Sequence, residues 1–320
     1  MTAFEYIQQA LAAISWQKCP VGLYEPIGYT LSAGGKRLRP ALAVIASDLY
    51  DGRREDVLPA ALALEVFHNF TLLHDDVMDK APVRRGRPTV HIRWNENTAI
   101  LSGDQMLIEA YKLLSQVKPD CLPQVLRLFN KMATEICEGQ QYDVDFETRD
   151  DVTLDNYLLM IRLKTSVLLA TALQIGALIA GADASEQQAL YSYGINIGLA
   201  FQLQDDILDV YGNPETFGKA VGGDILSGKK TYMLLTALRL ADAPTRARLA
   251  SLLADTAMEP QQKIRAVTAI YDRFSVRAVC EEVMKNYTMQ ALADLDRLHV
   301  SDDKKQILIK LAEKLLARSE

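Results

Sequence analysis

Cysteine and histidine are scarce in this chain of 320 residues, with four of each. The cysteines are scattered and form no Cys-x-x-Cys pair; they are Cys19, Cys121, Cys137 and Cys280. This pattern argues against a disulfide framework and against a structural zinc site. It favours a reducing compartment, and we therefore expect a cytoplasmic location.

An excess of positive charge is also missing. The chain has 35 Lys and Arg against 41 Asp and Glu, and its formal net charge is −6. A general nucleic-acid-binding protein needs a basic surface, so no nucleic-acid partner is expected. The net charge leaves open whether a small anionic substrate binds at a local basic site.

Long uninterrupted hydrophobic runs are absent as well. The most apolar stretch, residues 167–180, is interrupted by Thr171, Gln174 and Gly176. It falls short of the roughly 20 residues that a membrane span requires. The first 19 residues contain Glu5 and no basic leader before an apolar core, which argues against a signal peptide. We predict a buried helix at residues 167–180 and no membrane span.

Apolar residues recur at intervals of three and four along most of the chain, which is typical of helices. Alternating β-type runs are rare, and no low-complexity linker divides the chain. We therefore predict an all-α protein, a single large helical domain over residues 1–320, with roughly a dozen helices. The clearest helical segments are 41–46, 58–73, 99–114, 123–138, 187–211, 232–241, the stretch from 243, and 302–316.

Two acidic clusters of the form Asp-Asp-x-x-Asp follow apolar helical segments. They are Asp75, Asp76 and Asp79, and Asp205, Asp206 and Asp209. Residues four apart share a helix face, so each cluster places three carboxylates together. One such cluster alone could be a solvated acidic helix end. Apolar neighbours indicate buried helices, however, where unpaired carboxylates cost several kcal/mol each. A hard divalent cation such as magnesium would compensate for that cost.

Basic residues surround both acidic clusters. They occur in the segments 34–40 (Gly-Gly-Lys-Arg-Leu-Arg-Pro), 84–87 (Arg-Arg-Gly-Arg), 164–165 (Lys-Thr), 218–219 (Gly-Lys) and 228–230 (Gly-Lys-Lys). Each segment alone is more typical of a solvated surface. Their joint placement indicates either salt bridges or an anion held between metals and cations. Two separate basic groups suggest two phosphorylated substrates.

These motifs, together with His68 and the segment Phe-Gln-Leu-Gln before the second cluster, resemble the short-chain trans-isoprenyl diphosphate synthases from Gly34 to Tyr232. The resemblance implies the all-α isoprenoid synthase fold, with helices around a deep central cavity, and a homodimer. It also implies a prenyltransferase that condenses isopentenyl diphosphate head to tail with allylic diphosphates. Two departures are Tyr232-Met233 in place of Tyr-Pro and a C-terminus without a strongly basic tail.

The resemblance also implies residue roles. The six aspartates would hold magnesium, typically three ions, with manganese as a substitute. The allylic diphosphate site would comprise Arg84, Lys164, Thr165, Gln202, Lys219 and Lys229. Lys164, Thr165 and Gln202 are also the candidate catalytic residues. The isopentenyl diphosphate site would comprise Lys36, Arg39, His68 and Arg85.

Product length is predicted from the helix that leads into the first cluster. Phe70 lies five residues before Asp75, about 7.5 Å along a helix axis, where a bulky ring would form a floor. By periodicity alone Phe70 is ordinary core. In the resembling family an aromatic residue here accompanies C15 or C20 products, and Thr71 beside it favours C20, geranylgeranyl diphosphate.

Several alternatives remain open from the sequence. The product could be farnesyl diphosphate or a longer polyprenyl diphosphate. A class I terpene cyclase also ionises allylic diphosphates, although it would not need Lys36, Arg39 and His68 for a second diphosphate. A head-to-head coupling enzyme, a regulatory subunit and a helical metal-binding protein are the remaining readings.

Overall fold

The structure, a computed structural model, describes residues 1–213 and 221–316. The described residues are mainly helical, as predicted. The helices are Ala3–Ala12, Val21–Ser32, Leu38–Leu49, Arg54–Met78, Val90–Arg93, Glu96–Leu114, Leu122–Thr148, Leu154–Ile161, Val167–Ile179, Ala184–Tyr211, Gly223–Ser227, Tyr232–Leu240, Ala243–Ala254, Pro260–Arg273, Val276–Asp296 and Asp302–Leu316. A π-helical turn occupies Arg162–Ser166.

Local capping explains where several helices begin. The side chain of Thr153 accepts a hydrogen bond from the backbone N–H of Asn156, and the side chain of Asn156 accepts one from the backbone N–H of Thr153. Asn95 and Thr231 cap their helices in a similar way, each with a side-chain acceptor for an N–H three residues on. Such caps satisfy N–H groups that have no partner within the helix.

One short hairpin was not predicted from the sequence. Val83–Arg84 pairs antiparallel with Arg87–Pro88, in the register Val83 to Pro88 and Arg84 to Arg87. Its two turn residues, Arg85 and Gly86, have φ values of 53° and 73°. Positive φ at both central positions suits a tight two-residue hairpin turn. The hairpin places neighbouring arginines directly after the first acidic cluster.

The chain divides into two compact units. The first comprises Met1–Asn130 and Thr171–Leu190, and the second Lys131–Ala170 and Tyr191–Glu320. The expectation of a single domain over residues 1–320 remains a prediction.

The core of the first unit is built on small residues that let helices approach closely. Helix Leu38–Leu49 is buried along nearly its whole length and packs against helix Arg54–Met78, which also packs against Glu96–Leu114. Gly176 faces the backbone of Ala43, and a Cβ at residue 176 would lie 2.1 Å from the Ala43 carbonyl oxygen. Close backbone packing of this kind leaves little room for larger side chains.

The core of the second unit is apolar and aromatic. Tyr157, Leu203, Met233, Val267 and Tyr271 belong to one buried cluster. These residues come from four different helices, since Val267 and Tyr271 both lie on Pro260–Arg273. The cluster surrounds the part of helix Ala184–Tyr211 that carries the second acidic motif and so fixes the position of that motif.

The predicted buried helix at residues 167–180 is confirmed as Val167–Ile179, whose residues from Val167 to Leu173 are all buried. By length and composition, Arg54–Met78 and Leu154–Ile179 could each cross a membrane. In the structure 61% and 67% of their most apolar windows are buried. This burial is what core helices of a globular protein show.

Candidate active site

The first acidic cluster lies at the C-terminal end of helix Arg54–Met78, with Asp79 as its C-cap. Asp76 is 6% exposed, and its Oδ1 accepts a hydrogen bond from Arg84 Nε at 2.6 Å. Arg84 also forms an ion pair of 3.4 Å with Asp75. Burial raises the pKa of Asp76, although Arg84 acts in the opposite direction. Asp75 and Asp79 remain accessible to solvent in part, on one side of the helix end.

Arg84 and Arg85 are neighbours in the hairpin, but their side chains have different partners. Arg84 contacts the aspartates, whereas Arg85 donates a hydrogen bond to the carbonyl oxygen of Gly34. Gly35 has φ of 121°, and a Cβ there would lie 2.7 Å from the Arg85 guanidinium carbon. The two glycines thus allow Arg85 to approach the loop before helix Leu38–Leu49. This arrangement joins two of the basic segments singled out in the sequence.

Arg39 and His68 lie near each other beside Arg85. Burial lowers the pKa of Arg39 to about 10. The pKa of His68 lies well below its ordinary value because of burial and then because of neighbouring Arg39 and Arg85. His68 is therefore neutral at pH 7 and can donate a hydrogen bond without adding charge. The buried Nε of Arg39 has no hydrogen-bond partner among residues 1–213 and 221–316, which suits an anionic ligand. Lys36, the fourth predicted member, is exposed.

Glu65 is a functional neighbour that the sequence analysis missed. It is 2% exposed and accepts hydrogen bonds from Arg37 and from Asn69 Nδ2, the latter at 2.9 Å. Arg37 is thereby committed to a buried ion pair. A signal existed in the sequence, because Glu65 is the only acidic residue in the apolar segment 58–73. A buried carboxylate requires a partner.

The second acidic cluster lies near the end of helix Ala184–Tyr211. Asp206 is 3% exposed, and its Oδ2 accepts hydrogen bonds from the Tyr157 hydroxyl at 2.5 Å and the Tyr232 N–H at 3.2 Å. Burial raises the pKa of Asp206 to about 7. Asp209 Oδ2 accepts from the Asp224 N–H at 3.0 Å. Nothing in the sequence indicated Tyr157, because its contact with Asp206 joins residues 49 positions apart.

Lys164 and Thr165 lie in the π-helical turn. Lys164 Nζ forms an ion pair of 2.6 Å with Asp143, which the sequence analysis missed. A Cβ at Gly139 would lie 2.4 Å from the Lys164 backbone nitrogen, so the bare glycine permits this approach. Single π turns inside helices occur frequently at functional sites.

The remaining predicted residues of the allylic site are placed as follows. Thr165 and Gln202 are partly buried. Lys229 lies close enough to Asp206 to lower its pKa, against the dominant effect of burial. Its neighbour Lys230 donates to the backbone oxygen of Phe146 at 2.6 Å. Lys219 lies outside the described residues.

The two residues predicted to set product length are on helix Arg54–Met78. Phe70 is partly buried and contacts the rings of Phe67 and His74. The hydroxyl of Thr71 donates to the backbone oxygen of His68 at 2.8 Å. The hydroxyl donor of Thr71 is therefore already used within its own helix.

The donor set fits magnesium in each unit considered separately. Asp75 and Asp79 offer carboxylate oxygens on one helix end, and Asp205 and Asp209 offer a matching pair. Carboxylate oxygens are the ligands that hard divalent cations prefer. Asp76 and Asp206 differ from these four because they are buried; Asp76 bonds Arg84, and Asp206 bonds Tyr157. A metal-ligand role for each of the six aspartates remains a prediction.

A family model described as polyprenyl synthetase matches residues 20–271. This chain belongs to the polyprenyl synthetase family. The family resemblance read from the motifs is confirmed, and the chain is a prenyltransferase. The substrates of this family are isopentenyl diphosphate and allylic diphosphates.

Named relatives of this polyprenyl synthetase agree with that assignment. A geranylgeranyl diphosphate synthase of Methanosarcina mazei is 46% identical over 220 residues, 68% of each chain. A short chain isoprenyl diphosphate synthase of Methanothermobacter thermautotrophicus is 36% identical over 317 residues, covering 99% of this chain and 95% of the relative. Relatives named geranylfarnesyl diphosphate synthases also match.

A crystal structure of a geranylgeranyl pyrophosphate synthase superposes with a TM-score of 0.92 at 44% identity. The match covers 99% of this chain and 97% of that one. This similarity confirms the predicted isoprenoid synthase fold.

Proposed function

We propose that this polyprenyl synthetase condenses isopentenyl diphosphate with allylic diphosphates and that its main product is geranylgeranyl diphosphate, C20. The main support for a second diphosphate site is the group of Arg39, His68 and Arg85, in which the buried Nε of Arg39 has no hydrogen-bond partner among the described residues. A terpene cyclase would not need such a site. The names of the relatives support the C20 product.

In this proposal Arg84, Lys164 and Lys229, with Lys219, bind the diphosphate of the allylic substrate. Their positive charge stabilises the charge that develops on the leaving group as the allylic carbon ionises. Magnesium, about three ions per site, would add Lewis-acid stabilisation of the same charge when bound by the aspartates. Manganese would serve as a substitute.

Lys36, Arg39, His68 and Arg85 hold isopentenyl diphosphate so that its double bond attacks the allylic cation. Fixed positioning of two reactants can supply a large part of a rate enhancement. Thr165 and Gln202 direct oxygen dipoles toward the cation, and the released diphosphate takes the final proton. The apolar surroundings exclude water, which would otherwise capture the cation.

Phe70 forms the floor for the growing hydrocarbon, with Thr71 beside it. The ring lies about 7.5 Å from Asp75 along the helix axis, on the N-terminal side. We expect Phe70→Ala to remove the floor and to yield products longer than C20.

The first test is to supply purified protein with magnesium, isopentenyl diphosphate and dimethylallyl, geranyl or farnesyl diphosphate in turn. Product lengths are then measured by mass spectrometry. A C20 ceiling supports the proposal, whereas a C15 or C30 ceiling keeps the chemistry and places the floor elsewhere. Release of cyclic hydrocarbons without condensation would assign the chain to the cyclases.

We expect Asp75→Ala and Asp205→Ala each to lower kcat by about 100-fold or more, because each removes a carboxylate from a charge-stabilising site. Steady-state kinetics in saturating magnesium measure the effect. Glu55→Ala is the matched control, since Glu55 is an exposed acid at the other end of helix Arg54–Met78. Near-normal turnover of both aspartate variants would refute the metal-site assignment.

We also propose that the enzyme is a cytoplasmic homodimer. Helix Glu96–Leu114 exposes four large apolar side chains, and these are Ile100, Leu101, Ile108 and Tyr111. Their spacing places them on one helix face. A second copy of this chain is the occupant we assign to that face.

A further inference from the structure

His74 lies between the proposed floor residue and a neighbouring helix. Its ring centroid is 4.8 Å from that of Phe70, in an edge-to-face arrangement with an interplanar angle of 67°. Its Nε2 donates to the backbone oxygen of Ile100 at 3.1 Å, on helix Glu96–Leu114. The imidazole thus links the Phe70 ring to a second element of the same unit.

A glycine makes room for this imidazole. A Cβ at Gly103 would lie 2.2 Å from His74 Nε2 and 2.4 Å from its Cδ2. Gly103 is buried in the interior of helix Glu96–Leu114, where glycine costs roughly 0.5–1 kcal/mol relative to alanine. Glycine at residue 103 therefore has a packing reason, because the His74 ring occupies the space that a Cβ would need.

The Phe70 ring also packs against a second aromatic side chain. Phe67, which is 1% exposed, lies one turn earlier, with its ring centroid 5.5 Å from that of Phe70. Phe67 in turn packs edge-on against Phe129 at 5.1 Å. Phe67, Phe70 and His74 share one helix face because they are three and four residues apart. Phe70 is consequently clamped between a rigid aromatic ring and the anchored imidazole.

We propose that His74, seated against Gly103, is a positioning residue that fixes the Phe70 ring and thereby sets the maximum product length. This inference rests on the proposed role of Phe70 as the floor. Without the imidazole the Phe70 side chain gains a second staggered orientation and no longer closes the hydrocarbon site. In this role His74 acts through the Phe70 ring and not through contact with the diphosphates or the reacting carbons.

The test compares product lengths of the wild type, His74→Ala and Gly103→Ala with farnesyl diphosphate as primer. We expect the fraction of products longer than C20 to rise by about 3- to 10-fold in both variants, because the Phe70 side chain can then adopt a second staggered orientation. Gly22→Ala is the matched control, because a Cβ there meets nothing within 4 Å. It should leave the product distribution unchanged. His74→Ala keeps the test valid if Gly103→Ala fails to fold.

Two double variants show whether His74 acts through its neighbours. In the Phe70→Ala background, His74→Ala should cause no further lengthening, since the ring it positions is already gone. In the His74→Ala background, Gly103→Ala should have no further effect because the clash has been removed. Additive lengthening in either pair would overturn the inference.

The outcomes also separate this inference from the proposed function. If Phe70→Ala leaves product length unchanged, the proposed floor is wrong. If Phe70→Ala lengthens the product while His74→Ala and Gly103→Ala keep the wild-type distribution, only the positioning role of His74 is wrong. A loss of thermal stability or rate without a shift in product length would also contradict it.

Discussion

At the residue scale, each acidic cluster combines accessible carboxylates with one buried carboxylate. Asp76 is held by Arg84, and Asp206 is held by Tyr157. A buried carboxylate without such partners would destabilise the fold by several kcal/mol. We infer that the buried aspartates orient the ends of the helices that carry the two clusters.

The neutral state of His68 predicts a pH dependence of stability. Its pKa is lowered from 6.5 in the folded protein, so below pH 6.5 the unfolded chain binds a proton that the folded chain does not. Stability from this group is present above about pH 6.5 and is lost as the pH falls. The slope is at most about 1.4 kcal/mol per pH unit.

His68→Gln should remove the contribution of this histidine to the pH dependence of the free energy of unfolding. Urea unfolding of both proteins between pH 7 and pH 5 measures the difference, because the acid sensitivity of the other groups is common to both. Parallel stability curves for the wild type and the variant would show that His68 protonates equally well in the folded state.

At the element scale, the π-helical turn is held in place by Gly139 and Asp143 on helix Leu122–Thr148. Gly139 allows the two backbones to meet at Lys164, and Asp143 lies about one helical turn further along. The ion pair with Asp143 then directs the Lys164 side chain. The sequence marks Lys164, but its orientation depends on a helix distant in the chain.

We expect Gly139→Ala to lower the free energy of unfolding by about 1–3 kcal/mol, because a Cβ would force the backbone of Lys164 to move. It should also lower kcat more than it raises KM, since Lys164 loses its position. Denaturant unfolding and steady-state kinetics measure the two effects. Gly22→Ala is again the control, and an equally small effect of both substitutions would contradict this view of the turn.

Helix positions were largely predictable, since apolar periodicity reports which face of a segment is buried. The predicted segments 58–73 and 187–211 lie within the observed helices Arg54–Met78 and Ala184–Tyr211. The hairpin at Val83–Pro88 was not predictable from alternation, because each strand has only two residues. Its turn requires a positive φ at Arg85, and the sequence does not indicate that arginine adopts this conformation there.

At the scale of the whole molecule, the exposed apolar face of helix Glu96–Leu114 predicts self-association. The same helix carries Gly103, against which His74 packs, three residues after Ile100. One helix would therefore serve both the subunit interface and the support of the hydrocarbon floor. A surface of this kind is the usual form of an interface core.

Leu101→Glu and Ile108→Glu should each weaken the dimer by about 100-fold or more, because a buried interface position would then hold an unpaired charge. Sedimentation velocity over a range of protein concentrations measures the dissociation. Leu240→Glu, at a residue 41% exposed on another helix, should leave the dimer intact. A monomeric wild type would contradict the proposed assembly.

The sequence by itself determined the helical fold, the two aspartate motifs and the family, because periodicity and short motifs depend on residues close together in the chain. Only the tertiary structure showed that Glu65 neutralises Arg37, that Tyr157 bonds Asp206 and that Asp143 pairs with Lys164. It also showed the seat of His74 against Gly103. Each of these contacts joins residues 21 to 49 positions apart. Such pairs meet only after helices pack, and their chemistry is decided by burial that no local pattern reports.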